Sequence, residues 1–412
     1  MTLPDQAARE AGRASLPFLI FLALMTSVIA MTIDAVLPAL DGISDDLGFA
    51  DPDDRKLIIL AVFVGIGLGQ PIFGPLSDAI GRRRSALAGW VLYCIGTLVA
   101  MFAPGLEAML AGRLLQGIGA AGPRVVATAI VRDLYAGRPM ARIISLIMTV
   151  FMLVPMFAPL IGQIIETLAG WRAIFGVYLA LALVCATWHL ARIPETLAPE
   201  NTRPLSFWPL LAAFGEVLRN RTAMLYTFAS TTIFGAFAAI LSSAQQIFEE
   251  MLGLGDLFPL AFATLALCFA IAQFTNSRLV MTMGMRRLCR ISGVVVTVTS
   301  LIALAIGLSP LGPVPPAWVF MAVMVPVFLG SAVMFANLTA LALEPLGHIA
   351  GTASAAIMSI SMLGAVPLGW LIARELDGTL VPLFFGYAVL GFASMVFIFA
   401  ADRRPEEPGA PA

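Results

Sequence analysis

At 412 residues and 43.6 kDa, the chain has 60% apolar and only 12% charged side chains and a mean hydropathy of +0.94, against roughly 45–50% and 25% in soluble domains. So few Asp, Glu, Lys and Arg cannot cover a water-facing surface, which excludes ordinary soluble enzymes, secreted disulfide scaffolds and disordered chains and makes lipid the main solvent. A net charge of -1 without a basic face excludes nucleic acid as a partner.

Residues 1–15 are polar and read as a cytoplasmic tail, and the apolar run from Leu16 exceeds a signal core and lacks a cleavage site, so it is a retained span. About 20 helical residues cross ~30 Å of hydrocarbon. Runs of that length predict twelve spans, at 16–40, 56–78, 85–104, 107–131, 140–165, 171–192, 222–248, 257–280, 289–309, 315–343, 350–374 and 379–401. The expected fold is therefore an all-α integral membrane protein with two pseudo-symmetric six-helix bundles, 16–192 and 222–401, a cytoplasmic linker at 193–221 and a cytoplasmic tail at 402–412. Within the linker, Phe207, Leu210, Leu211, Phe214, Val217 and Leu218 recur at helical spacing opposite Glu216 and Arg219, the pattern of a helix lying along the inner surface.

Basic residues set the orientation, because short cytoplasmic loops collect them. The segments assigned to the inside carry eighteen arginines, among them Arg82, Arg83, Arg84, Arg132, Arg286 and Arg287, against Arg55, Lys56, Arg172 and Arg374 outside. Both termini are thus expected in the cytoplasm. Gly81-Arg82-Arg83-Arg84 after span 2 is echoed by Gly284-Met285-Arg286-Arg287 after span 8. Such duplication suits a transporter with its site near the midplane and two halves that rock, although arginine after an inward-running span is also what topology alone demands.

A charge inside a span costs at least ~2.5–3.5 kcal/mol, so such residues usually serve function. Asp34 is the only carboxylate well inside a span, and Arg113 of span 4 sits at similar depth. The equal depth permits an ion pair or a shared wetted cavity, the minimum for proton-coupled exchange; a static pair that fixes packing is the plainer alternative. Gln116 lies one turn from Arg113, and Gly117, Gly119 and Gly122 thin one side of that span for helix packing. Pro155, Ala158, Pro159 and Gly162 in span 5 are expected to bend it, as a hinge or as a static kink, and Phe151 adds apolar wall. Phe234, Phe237, Gln273, Asn337 and Met362 are candidates for the second-half wall. The single cysteines and the isolated histidines His189 and His348 predict no metal site.

Several of these residues match known patterns. Gly74, Leu76, Asp78, Gly81, Arg82 and Arg83 match the signature loop between spans 2 and 3 of the major facilitator superfamily, with Ala79 where an Arg usually stands. Arg113-Leu-Leu-Gln116-Gly117-Ile-Gly119 is similar to its span-4 motif, and Ala158-Pro159-Leu-Ile-Gly162 to the span-5 antiporter motif, with Ala158 and Gln163 replacing usual glycines. Together with Asp34-Ala-Val-Leu-Pro38, Arg132-Asp133-Leu-Tyr, Asn276-Ser-Arg278 and Ala350-Gly-Thr-Ala-Ser354, residues 16–401 resemble the Bcr/CflA-type drug:proton antiporters.

The resemblance implies protonation and drug recognition at Asp34, coupling through Arg113, cavity roles for Gln116, Phe151 and Pro155, an inner-rim pair of Arg82 with Asp133, and Asp78 near the start of span 11. Thr26 stands where some relatives carry a second acid, so multiply charged cations are not favoured. The expectation is a monomeric exporter of small apolar organic compounds in a bacterial inner membrane, with H⁺ as coupling ion and no cofactor. A transporter dedicated to one metabolite is the alternative. A receptor is disfavoured because the chain shows no soluble relay domain, and an intramembrane enzyme because no nucleophile and base pair occurs within the spans.

Overall fold

The computed structural model describes residues 16–402 apart from 136, 203–204, 206–207 and 311. Arg9, Arg13, Arg203, Phe207, Arg403 and Arg404 therefore lie outside the described residues. Among those described no strand occurs, and the helices are α1 (Leu16–Asp34), α2 (Leu40–Leu47), α3 (Arg55–Ile80), α4 (Arg82–Met101), α5 (Leu106–Leu134), α6 (Gly137–Ala169), α7 (Trp171–Arg192), α8 (Trp208–Arg219), α9 (Arg221–Ser242), α10 (Phe258–Met283), α11 (Met285–Gly307), α12 (Ala317–Leu343), α13 (Ala350–Ala373) and α14 (Val381–Asp402). Ten stretches are long and apolar enough to cross a membrane; Leu16–Leu47 contains α1 and α2, Ala317–Ala373 contains α12 and α13, and α6 adds the apolar segment Leu153–Ala169. With α2 counted as the continuation of α1 and α8 set aside, this is the predicted set of twelve spans.

Two differences from the sequence expectation matter for function. The first span is not one helix over 16–40. It breaks after Asp34, passes a short 3-10 turn at Leu37–Ala39 and resumes as α2. The cause is local: the carbonyl of Asp34 would accept from residue 38, which is Pro38 and has no N–H. The motif Gly74–Arg84 is likewise not a loop. The chain stays helical to Ile80, turns at Gly81 alone, and is helical again from Arg82.

The chain divides into two units, one holding α1–α7 together with Pro259–Ala266, the other α8, α9 and the rest of α10–α14. In the first unit α5 is clamped between α3 and α4 at backbone distance: a Cβ on Gly117 would lie 3.0 Å from the Cα of Gly65, and one on Gly112 would lie 2.9 Å from the Cα of Ala100. Small residues there let dispersion contacts form between backbones, which is how helices associate where lipid removes the hydrophobic driving force. The span α1 packs on α5, α6 and α7, and α4 packs on α7. In the second unit α9 packs on α12, α13 and α14, and α11 on α12 and α14. These are the same partnerships six spans later, so the weak sequence echo has a structural counterpart. The amphipathic helix α8 packs on α13 and α9 through buried Leu210, Ala213 and Val217, while Glu216 pairs with His348 at 2.7 Å.

Candidate functional site

Because α1 stops at Asp34, its carbonyls from Thr32 onward lose their intrahelical partners, while Met31 O keeps Ala35 N and gains a second donor. Met31 O accepts from Ala35 N at 3.0 Å and from Tyr178 Oη of α7 at 3.0 Å. Thr32 O accepts from Arg113 Nη2 at 2.8 Å and, more distantly, from Tyr178 Oη at 3.4 Å. Arg113 also donates from Nη1 to Gln116 Oε1 at 2.7 Å and from Nε to Ile58 O of α3 at 3.2 Å. Gln116 in turn donates to Thr97 Oγ1 at 2.8 Å, and Thr32 Oγ1 meets Tyr93 Oη at 2.6 Å. Arg113, Gln116, Tyr93 and Tyr178 are all buried. A buried guanidinium is tolerable only when its donors are satisfied in this way.

Asp34 is also buried, at 5% exposure, yet among the described residues it makes no ion pair with Arg113. The direct pair permitted by matching depth is thus corrected: Arg113 is turned to the backbone of the same helix end, two residues short of Asp34, because the break leaves Thr32 O free to accept. Asp34 sits instead at the negative end of the α1 dipole.

The span-5 motif lies against this break. A Cβ on Gly162 would collide with the carbonyl of Ala35, and Ala158 and Pro159 beside it are buried. Pro155 and Pro159 both stand inside one continuous helix, α6. Phe151 is not simply wall: the guanidinium of Arg124 lies over its ring, 5.9 Å from the centroid.

At the other end of the same unit, Arg82 opens α4 and is nearly enclosed. It donates to Asp133 from Nε at 2.8 Å and Nη2 at 3.3 Å, to Ser77 Oγ at 2.6 Å and to Asp78 Oδ1 at 2.5 Å. Gly74 and Asp78 are on the last turns of α3, and Arg83 reaches Leu190 O at 2.5 Å. Sequence reasoning missed Glu195. Its carboxylate takes Arg82 N at 2.8 Å and Arg83 N at 3.1 Å, capping α4 from beyond α7. A signal was present: the N-cap of α4 is Gly81, which has no side chain to cap with, and an acid follows the sixth span. Gly81 is required twice over, by its φ of 92° and because a Cβ would enter the Glu195 carboxylate.

The second unit repeats the plan with different residues. Arg286 of α11 donates to Glu344 at 2.9 Å, just past α12, and Asp402 at the end of α14 accepts from Arg290 Nε at 2.6 Å and Tyr226 Oη at 2.5 Å. In both units a basic first turn of the third helix is tied to acids at the ends of the fourth and sixth. Phe234 and Phe237 gather with Phe335, Phe269 and Phe328: the Phe234 and Phe335 rings lie 4.6 Å apart, and Phe237 lies 5.9 Å from Phe269 and 6.0 Å from Phe328. Asn337 Nδ2 donates to Asn276 Oδ1 at 2.7 Å. Gln273 is half-buried on α10 and Met362 buried on α13, and neither has a polar partner among these groups. On the loop before α3, burial and the neighbouring carboxylates of Asp51 and Asp53 push the Asp54 carboxyl above the usual range. Among the described residues no group of His, Cys, Asp and Glu is placed to hold a metal.

Comparison with known proteins gives the same outline. Residues 22–369 match the Major Facilitator Superfamily pattern. The bicyclomycin resistance protein homolog of Haemophilus influenzae is 28% identical, covering 95% of this chain and 98% of that protein. The chloramphenicol resistance protein of Pseudomonas aeruginosa is 32% identical, covering 82% of this chain and 79% of that protein. In fold, a crystal structure of a D-xylose-proton symporter superposes with a TM-score of 0.73 at 15% identity, covering 93% of this chain and 98% of that one.

Proposed function

Because the chain belongs to the Major Facilitator Superfamily and is a multi-pass membrane transporter rather than an enzyme, we propose that it exports small, largely apolar organic compounds in exchange for protons, with Asp34 as the proton site. The observation that carries this reading is the position of Asp34: a buried acid, free of any ion pair among the described residues, at a helix break where backbone carbonyls and donors converge. Donors on Met31 O and Thr32 O satisfy the backbone beside Asp34 and leave its carboxyl without an ion-pair partner among the described residues, the arrangement of a group that can take and give up a proton. A carboxylate held by Arg113 would instead stay ionised. The relatives named for bicyclomycin and chloramphenicol resistance support drugs as cargo.

In the proposed cycle, ionised Asp34 belongs to the inward-facing form that takes up substrate, and protonation from the outer side accompanies release. Return of one proton down 100 mV supplies about 2.3 kcal/mol, to which a pH gradient adds. The half-buried phenylalanines of the second unit and the Asn276 and Asn337 amides suit an apolar cargo with a few polar atoms. On this proposal the protein works as a monomer in a bacterial cytoplasmic membrane, with both termini inside and H⁺ as the coupling ion.

The test is efflux of chloramphenicol and bicyclomycin from proteoliposomes under an imposed pH gradient. Wild type is expected to show gradient-driven efflux with opposed proton movement, and Asp34→Asn to lose it. Coupled efflux that persists unchanged in Asp34→Asn would remove Asp34 from the mechanism.

A further inference from the structure

Tyr178 belongs to no motif of the sequence, yet among the described residues its hydroxyl, like the guanidinium of Arg113, reaches the carbonyls at the end of α1. It is 1% exposed on α7, its ring packs edge-on to Phe175 at 5.7 Å, and its Oη donates to Met31 O at 3.0 Å with Thr32 O at 3.4 Å. The guanidinium of Arg113 donates to Thr32 O at 2.8 Å.

We propose that Tyr178 is a positioning residue for proton exchange, whose hydroxyl, by donating to the final carbonyls of α1, sets how readily Asp34 ionises. The inference rests on the reading of Asp34 as the proton site. Its physics is that of a helix C-terminus. Unpaired carbonyls there carry roughly half a negative charge, and an acid in the last helical residue must ionise against it. Each donor placed on those carbonyls withdraws part of that charge.

Several described groups stand around the break. From α7 comes Tyr178, and from α5 Arg113, whose charge is spent on Thr32 O, Gln116 and Ile58 O. From α4 comes Tyr93, held by Thr32 Oγ1. From α6, Gly162 meets Ala35, and Glu166 lies further along, against Gly42 of α2. Tyr178 is the neutral donor among them on the carbonyls preceding Asp34. The phenol stays protonated throughout. The proton that leaves Asp34 goes to water, and Tyr178 alters only the ease of its leaving.

The experiment is an infrared pH titration of the full-length protein in lipid nanodiscs, following the carboxyl stretch that disappears in Asp34→Asn; it needs no substrate. Removing the hydroxyl in Tyr178→Phe is expected to move the midpoint upward by about 0.5–1 pH unit. Replacing Tyr178 with 3,5-difluorotyrosine, nearly isosteric but a stronger donor, is expected to move it downward. A role in packing alone would shift neither in opposite senses. Coincident midpoints in wild type and the difluorotyrosine protein would overturn the inference, whether or not Tyr178→Phe is recovered folded. Persistence of coupled efflux in Asp34→Asn proteoliposomes would instead overturn the reading beneath it.

Discussion

Asp34 and Pro38 stand four residues apart in the first span, so the carbonyl of Asp34 faces a residue with no N–H, and α1 ends on its one acid. Gly162 of α6 then packs on the buried turn at Ala35, while Arg113 and Tyr178 donate to carbonyls before it. The proposed proton site is thus a helix terminus built in the middle of a span.

Pro38→Ala restores the missing donor. The first helix is expected to extend past Asp34, gaining up to about 3 kcal/mol of local helix stability while removing the break. Gradient-driven efflux should fall at least tenfold with thermal stability kept or raised; efflux at the wild-type rate would show that the break is dispensable.

Gly162→Ala places a methyl group into the Ala35 carbonyl. Overpacking of this kind costs about 1–3 kcal/mol, so a lowered melting temperature in detergent is expected, with a larger drop for Gly162→Leu. A melting temperature equal to wild type in both variants would mean that α6 and the turn are not in contact.

Arg113→Lys keeps the charge but loses the planar fork that reaches Thr32 O, Gln116 and Ile58 O together. Each acceptor left bare in a dry site costs about 1–3 kcal/mol. We expect both stability and coupled efflux to fall, as they would in Arg113→Ala. Full activity in the lysine variant would show that charge alone matters, contrary to the backbone role seen here.

Glu195→Gln keeps an acceptor for only one of Arg82 N and Arg83 N, which bond to different carboxylate oxygens, and removes the negative charge at the start of α4. A loss of about 0.5–1 kcal/mol is expected, against 1–2 for Glu195→Ala, read as stepwise drops in melting temperature. Equal stability across all three proteins would show that the cap contributes nothing.

In the second unit, Asp402→Asn weakens the bonds from Arg290 and Tyr226 to a nearly enclosed carboxylate. With Arg290 itself partly exposed, about 1–2 kcal/mol of stability should be lost. A double-mutant cycle with Tyr226→Phe is expected to show coupling, and strict additivity would argue against a shared network.

Composition and charge placement were enough to read a twelve-span membrane protein, because a bilayer demands long apolar helices whatever their tertiary partners. The same holds for Asp34, conspicuous as the single acid well within a span, for the turn glycine Gly81, and for the paired motifs that tie the chain to its superfamily. Even the break at Asp34 is written locally in Pro38. What Arg113 does with its donors was not legible, since a guanidinium chooses among acceptors by distance and direction, and the acceptor it found is a backbone carbonyl that every residue possesses. For the same reason Tyr178 and Glu195 escaped notice: a hydrogen bond across 113 or 147 positions of chain leaves no periodicity behind. Only the packing of α1, α5 and α7 brings those groups onto one helix end, and with it decides that the acid stands without a salt bridge.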